Sequence, residues 1–132
     1  MKHEGVTRGI IGCFYQVYNR LGYGFLEKVY ERAMVIELVR EGFHVVTQKP
    51  IAVHYRDQIV GDYYADLVVE DRVIVELKAV SQLLREHEAQ LLNYLNATEY
   101  EVGLLMNFGP KARVVRKVFD NPLKQYKPAS YP

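Results

Sequence analysis

Three polar residues close together in the sequence have the types and the spacing needed for hydrolytic chemistry. Asp66 lies in an apolar run, and Glu76 and Lys78 close a second apolar run, on either side of Leu77. A carboxylate among apolar side chains is costly unless it has a partner. Two neighbouring carboxylates repel each other, and their oxygens suit a hard divalent cation such as Mg²⁺ or Mn²⁺. The pattern predicts a metal site if the turn between the runs brings the two acids together.

The two apolar runs read as strands joined by a tight turn, and the turn length decides whether the acids meet. A two-residue loop at Asp71-Arg72 would pair Asp66 with Leu77 and put the carboxylates on opposite faces. A three-residue loop at 70–72 pairs Asp66 with Glu76, with side chains roughly 5 Å apart. We favour the longer loop because it collects five residues into one apolar face: Leu67, Val69, Val73, Val75 and Leu77.

Regular alternation along the first strand would place four of its residues on one face: Asp62, Tyr64, Asp66 and Val68. The plainer alternative to a metal site is an ordinary edge hairpin whose acids lie in water. The apolar neighbours of both acids speak against that alternative, because unpaired carboxylates are disfavoured there.

The elements around this hairpin follow from apolar spacing and from glycine and proline positions. Helices are predicted over about 7–21, 26–41 and 84–96, and strands over 44–46, 51–55, 101–107 and 113–119. The break at Lys49-Pro50 predicts a bend or an edge strand. The order is α-α-β-β-β-α-β-β, which predicts an α/β fold with helices around a mixed sheet.

Length and composition predict a single domain over 1–121 followed by a loosely ordered, proline-containing tail over 122–132. The chain has 132 residues and is 49% hydrophobic, which is enough for one core. A single cysteine, Cys13, excludes an internal disulfide and any multi-cysteine metal site. We see no signal peptide and no membrane-spanning run, so a cytoplasmic protein is the expectation.

The net charge of +1 is unevenly distributed along the chain. Residues 1–109 hold 11 Lys/Arg against 15 Asp/Glu, whereas residues 110–132 hold 6 Lys/Arg against 1 Asp. The basic end could contact phosphates, although a solvated tail is the explanation that we favour for this feature taken alone. Tyr63 and Tyr64 could stack on bases, but packing is the usual role of tyrosines in a strand, and we favour it here.

Two of the helices carry polar residues of the kind that a site needs. Glu27 lies in the first turn of the second helix, where the helix dipole alone accounts for a carboxylate. Tyr30 follows on the same face and could either hydrogen-bond a site residue or pack in the core. In the third helix, His87, Gln90 and Tyr94 lie along one face. We expect His87 to be a surface or supporting residue and not a metal ligand.

These motifs together resemble those of a known family. Asp66 followed by Glu76-Leu77-Lys78 is similar to the D…ExK signature of the PD-(D/E)XK nuclease superfamily. The segment GFLEKVY at 24–30 resembles the GxxExxY motif that names one branch of it, and HEAQLLNYL at 87–95 is also similar to that branch. The resemblance covers about 10–121.

The resemblance implies a nuclease that acts on DNA or RNA and uses Mg²⁺ or Mn²⁺. It implies that Asp66, Glu76 and the backbone carbonyl of Leu77 bind the metal, with Glu27 completing the site directly or through water. It also implies that Lys78 orients the nucleophile or stabilises charge in the transition state. Gln90 would position Lys78, the water or a phosphate, and Tyr30 is a candidate supporting residue.

Two classes of function remain open from the sequence. One is a metal-dependent phosphodiesterase, and the other is a catalytically silent binding or regulatory module with the same fold. Retention of the acids and the lysine favours the enzyme, because a silent module has no need for costly buried acids. No DNA-binding domain is attached, so a partner or a homodimer is the candidate for substrate targeting.

Overall fold

The computed structural model describes residues 2–124, and its element order is the predicted one. Two helices precede three strands, and a third helix separates these from two further strands. The bounds are α1 Glu4–Leu21, α2 Glu27–Arg40, β1 Val45–Tyr55, β2 Gln58–Val69, β3 Val73–Lys78, α3 Arg85–Asn96, β4 Val102–Phe108 and β5 Ala112–Val118. The predicted α/β fold class is therefore confirmed.

The five strands form one mixed sheet in the order β1-β2-β3-β4-β5. Neighbouring strands are antiparallel except β3 and β4, which run parallel. A parallel pair needs a crossover connection, and the segment containing α3 supplies it. The strand that carries Glu76 and Lys78 therefore lies at the centre of the sheet.

The helices lie on two sides of this sheet and form two cores of unequal size. On the side of α1 and α2, 16 buried residues form one cluster, including Phe14, Tyr30 and Phe108. On the side of α3, a cluster of 10 buried residues is centred on Leu91, Leu95 and other α3 residues. All five residues of the predicted apolar hairpin face belong to the larger cluster, so that expectation is confirmed.

The predicted side-chain alternation along β2 is wrong around Asp66. Ala65 and Val68 both pack in the α3-side core, although three-residue spacing in a regular strand would put them on opposite faces. Leu67 packs on the other side. Gln48, which stands opposite Asp66 on β1, has a left-handed backbone with φ of 51° and lies outside the register of Cα partners. A local distortion of this kind changes which side of the sheet the side chains of β2 point to.

The predicted break in the first strand is also wrong, because β1 runs unbroken through Lys49 and Pro50. β1 is an edge strand, as the proline suggested, and an edge tolerates a residue without an N–H group. β2 begins at Gln58, four residues before Asp62, the first residue that the sequence placed in this strand. The two-residue turn before it, Arg56-Asp57, has φ of 49° and 63°, the left-handed geometry typical of tight hairpins.

The first residues of the predicted tail are ordered, contrary to expectation. Asn121–Leu123 forms a 3-10 helix, and the ammonium group of Lys124 donates hydrogen bonds to the carbonyls of Thr98 (2.6 Å) and Tyr100 (2.8 Å). A lysine can be buried in this way because carbonyl oxygens replace its water shell. Residues 125–132 of the tail lie outside the described residues.

Candidate functional site

The two strand acids meet where β2 leaves β3. The turn occupies residues 70–72 and pairs Val69 with Val73 and Leu67 with Val75, so the three-residue loop is confirmed. On the side of Leu67 away from the turn, the backbone pairing of β2 with β3 ends, and hydrogen bonds that involve side chains replace it. The Leu77 N–H donates to Asp66 Oδ2 (2.8 Å), and the Asp66 N–H lies 3.4 Å from Glu76 Oε2. The carboxylates therefore lie in the gap between two diverging strands.

Glu76 is the most perturbed acid of this pair. Its side chain is 9% exposed, and its Oε1 atom has no hydrogen-bond partner among the described residues. Burial first, and then the hydrogen bond and negative charge of Asp66, raise the pKa of Glu76 to about 9, against a smaller lowering by Lys78. Without a cation, Glu76 is therefore protonated at neutral pH. The proton relieves the repulsion that a metal ion would otherwise neutralise.

The acids open into a small polar cleft of about 130 Å³, which we call the carboxylate cleft. It brings together all five of the polar side chains predicted for the site, contributed by α2, β2, β3 and α3: Glu27, Asp66, Glu76, Lys78 and Gln90. Tyr64, His87, Leu91, Tyr94 and Leu105 complete its wall. Residues far apart in sequence thus converge on the two strand acids.

Lys78 and Gln90 differ in how far their positions are fixed. Within residues 2–124, Lys78 makes no ion pair with an acid, although its charge acts on Glu76. Its half-buried ammonium therefore remains available to a ligand. Gln90 donates a short hydrogen bond of 2.6 Å to the Tyr94 hydroxyl. That bond orients the amide, since only the other half of the group stays open to the cleft.

Comparison with known families agrees with this arrangement. A family model described as the PD-(D/E)XK nuclease superfamily matches residues 4–118, which is most of the chain. The protein belongs to the PD-(D/E)XK nuclease superfamily. Comparisons with curated proteins and with solved structures gave no match.

The donor set of this PD-(D/E)XK domain fits a hard divalent ion, although it is smaller than three carboxylates. Among the described residues, no three His, Cys, Asp or Glu side chains are close enough to hold a metal ion together. Asp66 and Glu76 nevertheless offer adjacent oxygens, and the Glu76 Oε1 atom is buried without a partner. A buried acceptor of this kind is costly when nothing binds it, and a cation removes the cost.

Tyr30 packs in the core and bonds to the backbone of the loop before Glu27. Its ring is fully buried and stacks on Phe108 with centroids 4.1 Å apart. Its hydroxyl donates to the Gly22 carbonyl (2.7 Å) and accepts from the Phe25 N–H (3.2 Å). Of the two alternatives left open for Tyr30, the structure shows core packing with a satisfied hydroxyl. The loop leading into α2, and with it the start of the helix at Glu27, is tied to the core.

Gln48 is a site neighbour that the sequence did not reveal. It donates from Nε2 to Glu31 Oε1 (3.0 Å) and, more weakly, to Asp66 Oδ1 (3.5 Å). Glu31 is buried and also accepts from Lys28 Nζ (2.9 Å). Gln48 thus links α2 to the strand acid from the β1 side. Neither periodicity nor a motif marks a single exposed glutamine in an edge strand.

Asn107 is a second supporting residue that went unnoticed in the sequence. Its Oδ1 accepts from the Val80 N–H and its Nδ2 donates to the Val80 carbonyl, both at 3.0 Å. It stands beside Lys78 in the parallel β3–β4 pair. The two-way hydrogen bond fixes the chain immediately after Lys78, and only an amide can donate and accept in this manner.

The remaining predicted neighbours have mixed outcomes. His87 lines the carboxylate cleft, and its Nδ1 accepts from the Leu84 N–H (3.0 Å), consistent with a supporting residue at the start of α3. The expectation that Tyr63 and Tyr64 are packing residues is wrong, since their side chains are 45% and 57% exposed. Tyr64 lines the carboxylate cleft, and Tyr63 lines a neighbouring cleft.

The basic end of the described chain is engaged with the domain itself. Lys117 forms an ion pair with Glu88 (2.8 Å), and Arg116 donates to the backbone carbonyl of Lys2 (2.7 Å). These residues of β5 therefore are not the solvated tail that the charge count suggested. Within residues 2–124, none of the helices is long and apolar enough to span a bilayer.

Proposed function

We propose that this protein is a divalent-metal-dependent nuclease that hydrolyses phosphodiester bonds of DNA or RNA. The observation that carries the proposal is the buried pair of Asp66 and Glu76, with an unpartnered oxygen and a strongly raised pKa, beside a lysine in a polar cleft. Groups perturbed in this way by burial and by a specific charged neighbour are typical of functional sites. Membership of a nuclease superfamily supports the same conclusion.

In this proposal Asp66, Glu76 and the backbone carbonyl of Leu77 hold Mg²⁺ or Mn²⁺, and Glu27 contributes directly or through a water. The bound ion would polarise the scissile phosphate and lower the pKa of a water molecule. Asp66 is held for this purpose by the Leu77 N–H and by Gln48. Glu27 is exposed at the start of α2 and lines the carboxylate cleft, where a water can bridge it to an ion held by the strand acids.

Lys78 acts on charge that develops during the reaction. Its ammonium lines the cleft without an ion pair among the described residues, so it can contact a phosphate oxygen or orient the attacking water. A fixed cation of this kind stabilises the transition state more than the ground state. Gln90, oriented by Tyr94, positions the water, the lysine or a neighbouring phosphate.

We also assign the protein to the GxxExxY branch of the superfamily. The support is the segment Gly24–Tyr30. The Tyr30 hydroxyl hydrogen-bonds to the backbone of the loop before α2, and Glu27 is the first residue of α2. In this motif the tyrosine holds the backbone of the loop that precedes the glutamate. A homodimer and a cytoplasmic location stay predictions.

The test is cleavage by the purified protein of single- and double-stranded DNA and RNA, with Mg²⁺, with Mn²⁺ and with EDTA. We expect cleavage with metal only, and a loss of about 10²-fold or more in Asp66→Ala, as for removal of a positioned electrostatic group. Asp62→Ala is the matched control, since Asp62 is an exposed acid of the same strand outside the cleft. Full activity in Asp66→Ala would refute the proposal.

Melting curves test the metal site without requiring a substrate. Mg²⁺ or Mn²⁺ at millimolar concentration should raise the melting temperature in a dose-dependent way, because the ion binds the folded state alone. Asp66→Ala should abolish the shift and Asp62→Ala should keep it. Identical curves with and without metal in the wild-type protein would contradict the proposed ligands.

A further inference from the structure

A second and larger cleft opens beside the carboxylate cleft. Its volume of about 560 Å³ falls within the ~300–1,000 Å³ typical of small-molecule sites. The two clefts share Gln90 and Tyr94 in their walls. We call the larger one the amide cleft, because three amide side chains of α3 line it: Gln90, Asn93 and Asn96.

The lining of the amide cleft contains no Asp, Glu, Lys or Arg among the described residues. A phosphate site needs cationic donors and a divalent-ion site needs carboxylates, so neither ion suits this cleft. Apart from tyrosines and amides, the wall consists of His54 and small or aliphatic residues. Such a lining suits an uncharged ring with hydrogen-bonding edges.

Tyr63 supplies an exposed aromatic surface at this cleft. Its ring is 45% exposed and lies 5.6 Å from the buried ring of Tyr94, at an angle of 46° between planes. An exposed ring whose position is fixed by contact with a buried ring is a preorganised platform for stacking. Asn96, another residue of the lining, has an Oδ1 atom that is buried without a hydrogen-bond partner among the described residues. A donor from a ligand would relieve that cost.

We propose that the amide cleft binds the base of a nucleotide whose phosphate occupies the carboxylate cleft. This inference rests on the proposed nuclease function and adds the place where the substrate's base lies. The base stacks on Tyr63, and the amides of Asn93 and Asn96 contact its edge. Gln90, shared by the two clefts, lies between the base and the phosphate. The cleft therefore holds an unpaired base, because a paired base could not offer its edge to these amides.

The first experiment measures base binding without metal or cleavage. Saturation-transfer NMR in EDTA follows the four nucleosides, with ribose as the base-free control, in the wild-type protein and in two tyrosine variants. We expect binding of nucleosides but not of ribose, with about tenfold weaker binding in Tyr63→Leu. Tyr55→Leu is the matched control, since Tyr55 is 63% exposed on β1 and outside the cleft. Equal signals from nucleosides and ribose, or no effect of Tyr63→Leu, would overturn the inference.

A second variant tests the same cleft independently of whether Tyr63→Leu folds. Asn93→Trp places a bulky ring into the cleft from an exposed helix position, and it should block nucleoside binding while the melting temperature stays within a few degrees. Unchanged nucleoside binding in a folded Asn93→Trp protein would count against the cleft.

The second experiment places the base relative to the scissile bond. Single-stranded substrates with one abasic residue at successive positions should show a cleavage defect of about tenfold when the abasic residue adjoins the cleaved bond, and Tyr63→Leu should remove that difference. Cleavage that ignores abasic position would overturn the inference and leave the nuclease proposal intact. Base binding that depends on Tyr63 without any cleavage would instead refute the nuclease proposal and keep a base-binding cleft.

Discussion

The two faces of the central sheet differ in what they bury. Against α1 and α2 lies an apolar core of 16 of the described residues, in which the rings of Phe14 and Tyr30 each pack on Phe108. Against α3 the core has 10 residues, and beside it lie two clefts, a buried acid and three side-chain amides. Folding free energy comes mainly from apolar burial, so the first face supplies more of the stability. The second face gives up part of its packing for polar groups.

β3 joins the two faces through alternate side chains. Val73, Val75 and Leu77 point into the larger core, whereas Glu76 and Lys78 line the carboxylate cleft. A strand anchored by three buried residues holds its intervening polar residues with little freedom. The rigidity of the α1/α2 face therefore fixes the geometry of the α3 face. The effects of substitutions on one face should be separable from the effects of substitutions on the other.

The largest effect is expected on the α1/α2 face. Phe14→Ala should destabilise the protein by about 3–5 kcal/mol, because it leaves a cavity between α1 and the sheet. That loss corresponds to a melting temperature lower by about 10–20 °C. Tyr15→Ala, on the same helix but 42% exposed, should cost about 1 kcal/mol or less. Similar losses in both variants would show that the stacked rings do not dominate this face.

A smaller effect, on activity alone, is expected for Lys78 on the other face. Lys78→Ala should cut cleavage by about 10²-fold, equivalent to about 2.7 kcal/mol in the transition state, and leave melting and metal binding nearly unchanged. Lys78→Arg should not restore full activity, because a planar fork cannot replace a compact ammonium. If Lys78→Ala lost stability and Lys78→Arg regained it, Lys78 would instead be a structural ion-pair partner. The two faces of the sheet would then not differ in this respect.

A third effect, the smallest for a single step because it is spread over several pH units, is a pH dependence of stability that originates at Glu76. The folded-state pKa of Glu76, about 9, lies above the ordinary value of 4.5. Between pH 4.5 and pH 9 the folded protein therefore binds more protons than the unfolded protein. Without metal, stability should therefore be greatest below about pH 4.5 for this group and fall as the pH rises toward 9, by at most about 1.4 kcal/mol per pH unit. Glu76→Gln should flatten the slope and stabilise the metal-free protein at pH 8.

Melting curves in EDTA between pH 5 and 9 measure that slope. Asp62→Asn is the control, because Asp62 is an exposed acid of the same hairpin. Wild-type and Glu76→Gln proteins with parallel pH profiles would show that the acid pair does not share a proton.

Much of this comparison could be predicted from residue patterns. The apolar set from Leu67 to Leu77 selected the hairpin register, because the other register would have split it between faces. The element order followed from apolar spacing and from glycine and proline positions, and the convergence on Asp66 and Glu76 followed from that register and from the family motifs. Gln90 could be placed beside the acids only through the resemblance, since helical spacing alone does not say what a polar face meets.

What could not be predicted depends on contacts between residues distant in sequence. The left-handed backbone of Gln48 and its bond to Glu31 arise from the approach of β1 to α2. The amide of Asn107 finds Val80 only after the parallel pair has formed. The contact of Tyr63 with Tyr94 joins β2 to α3, which are distant in sequence. Local propensities contain none of this information.

The two outer strands of the sheet also limit how copies of this protein can associate. Outer strands with free backbone groups invite a further strand and thereby aggregation. β1 has Pro50, without an N–H group, and the left-handed Gln48, whereas β5 has the exposed Arg113 and the partly buried Arg116 and Lys117, which already bond to Lys2 and Glu88. The irregular backbone of β1 and the exposed charge of Arg113 on β5 thus discourage strand addition. If a homodimer forms, we expect its contacts on helices or loops, and a continuous ten-stranded sheet across two copies would contradict this expectation.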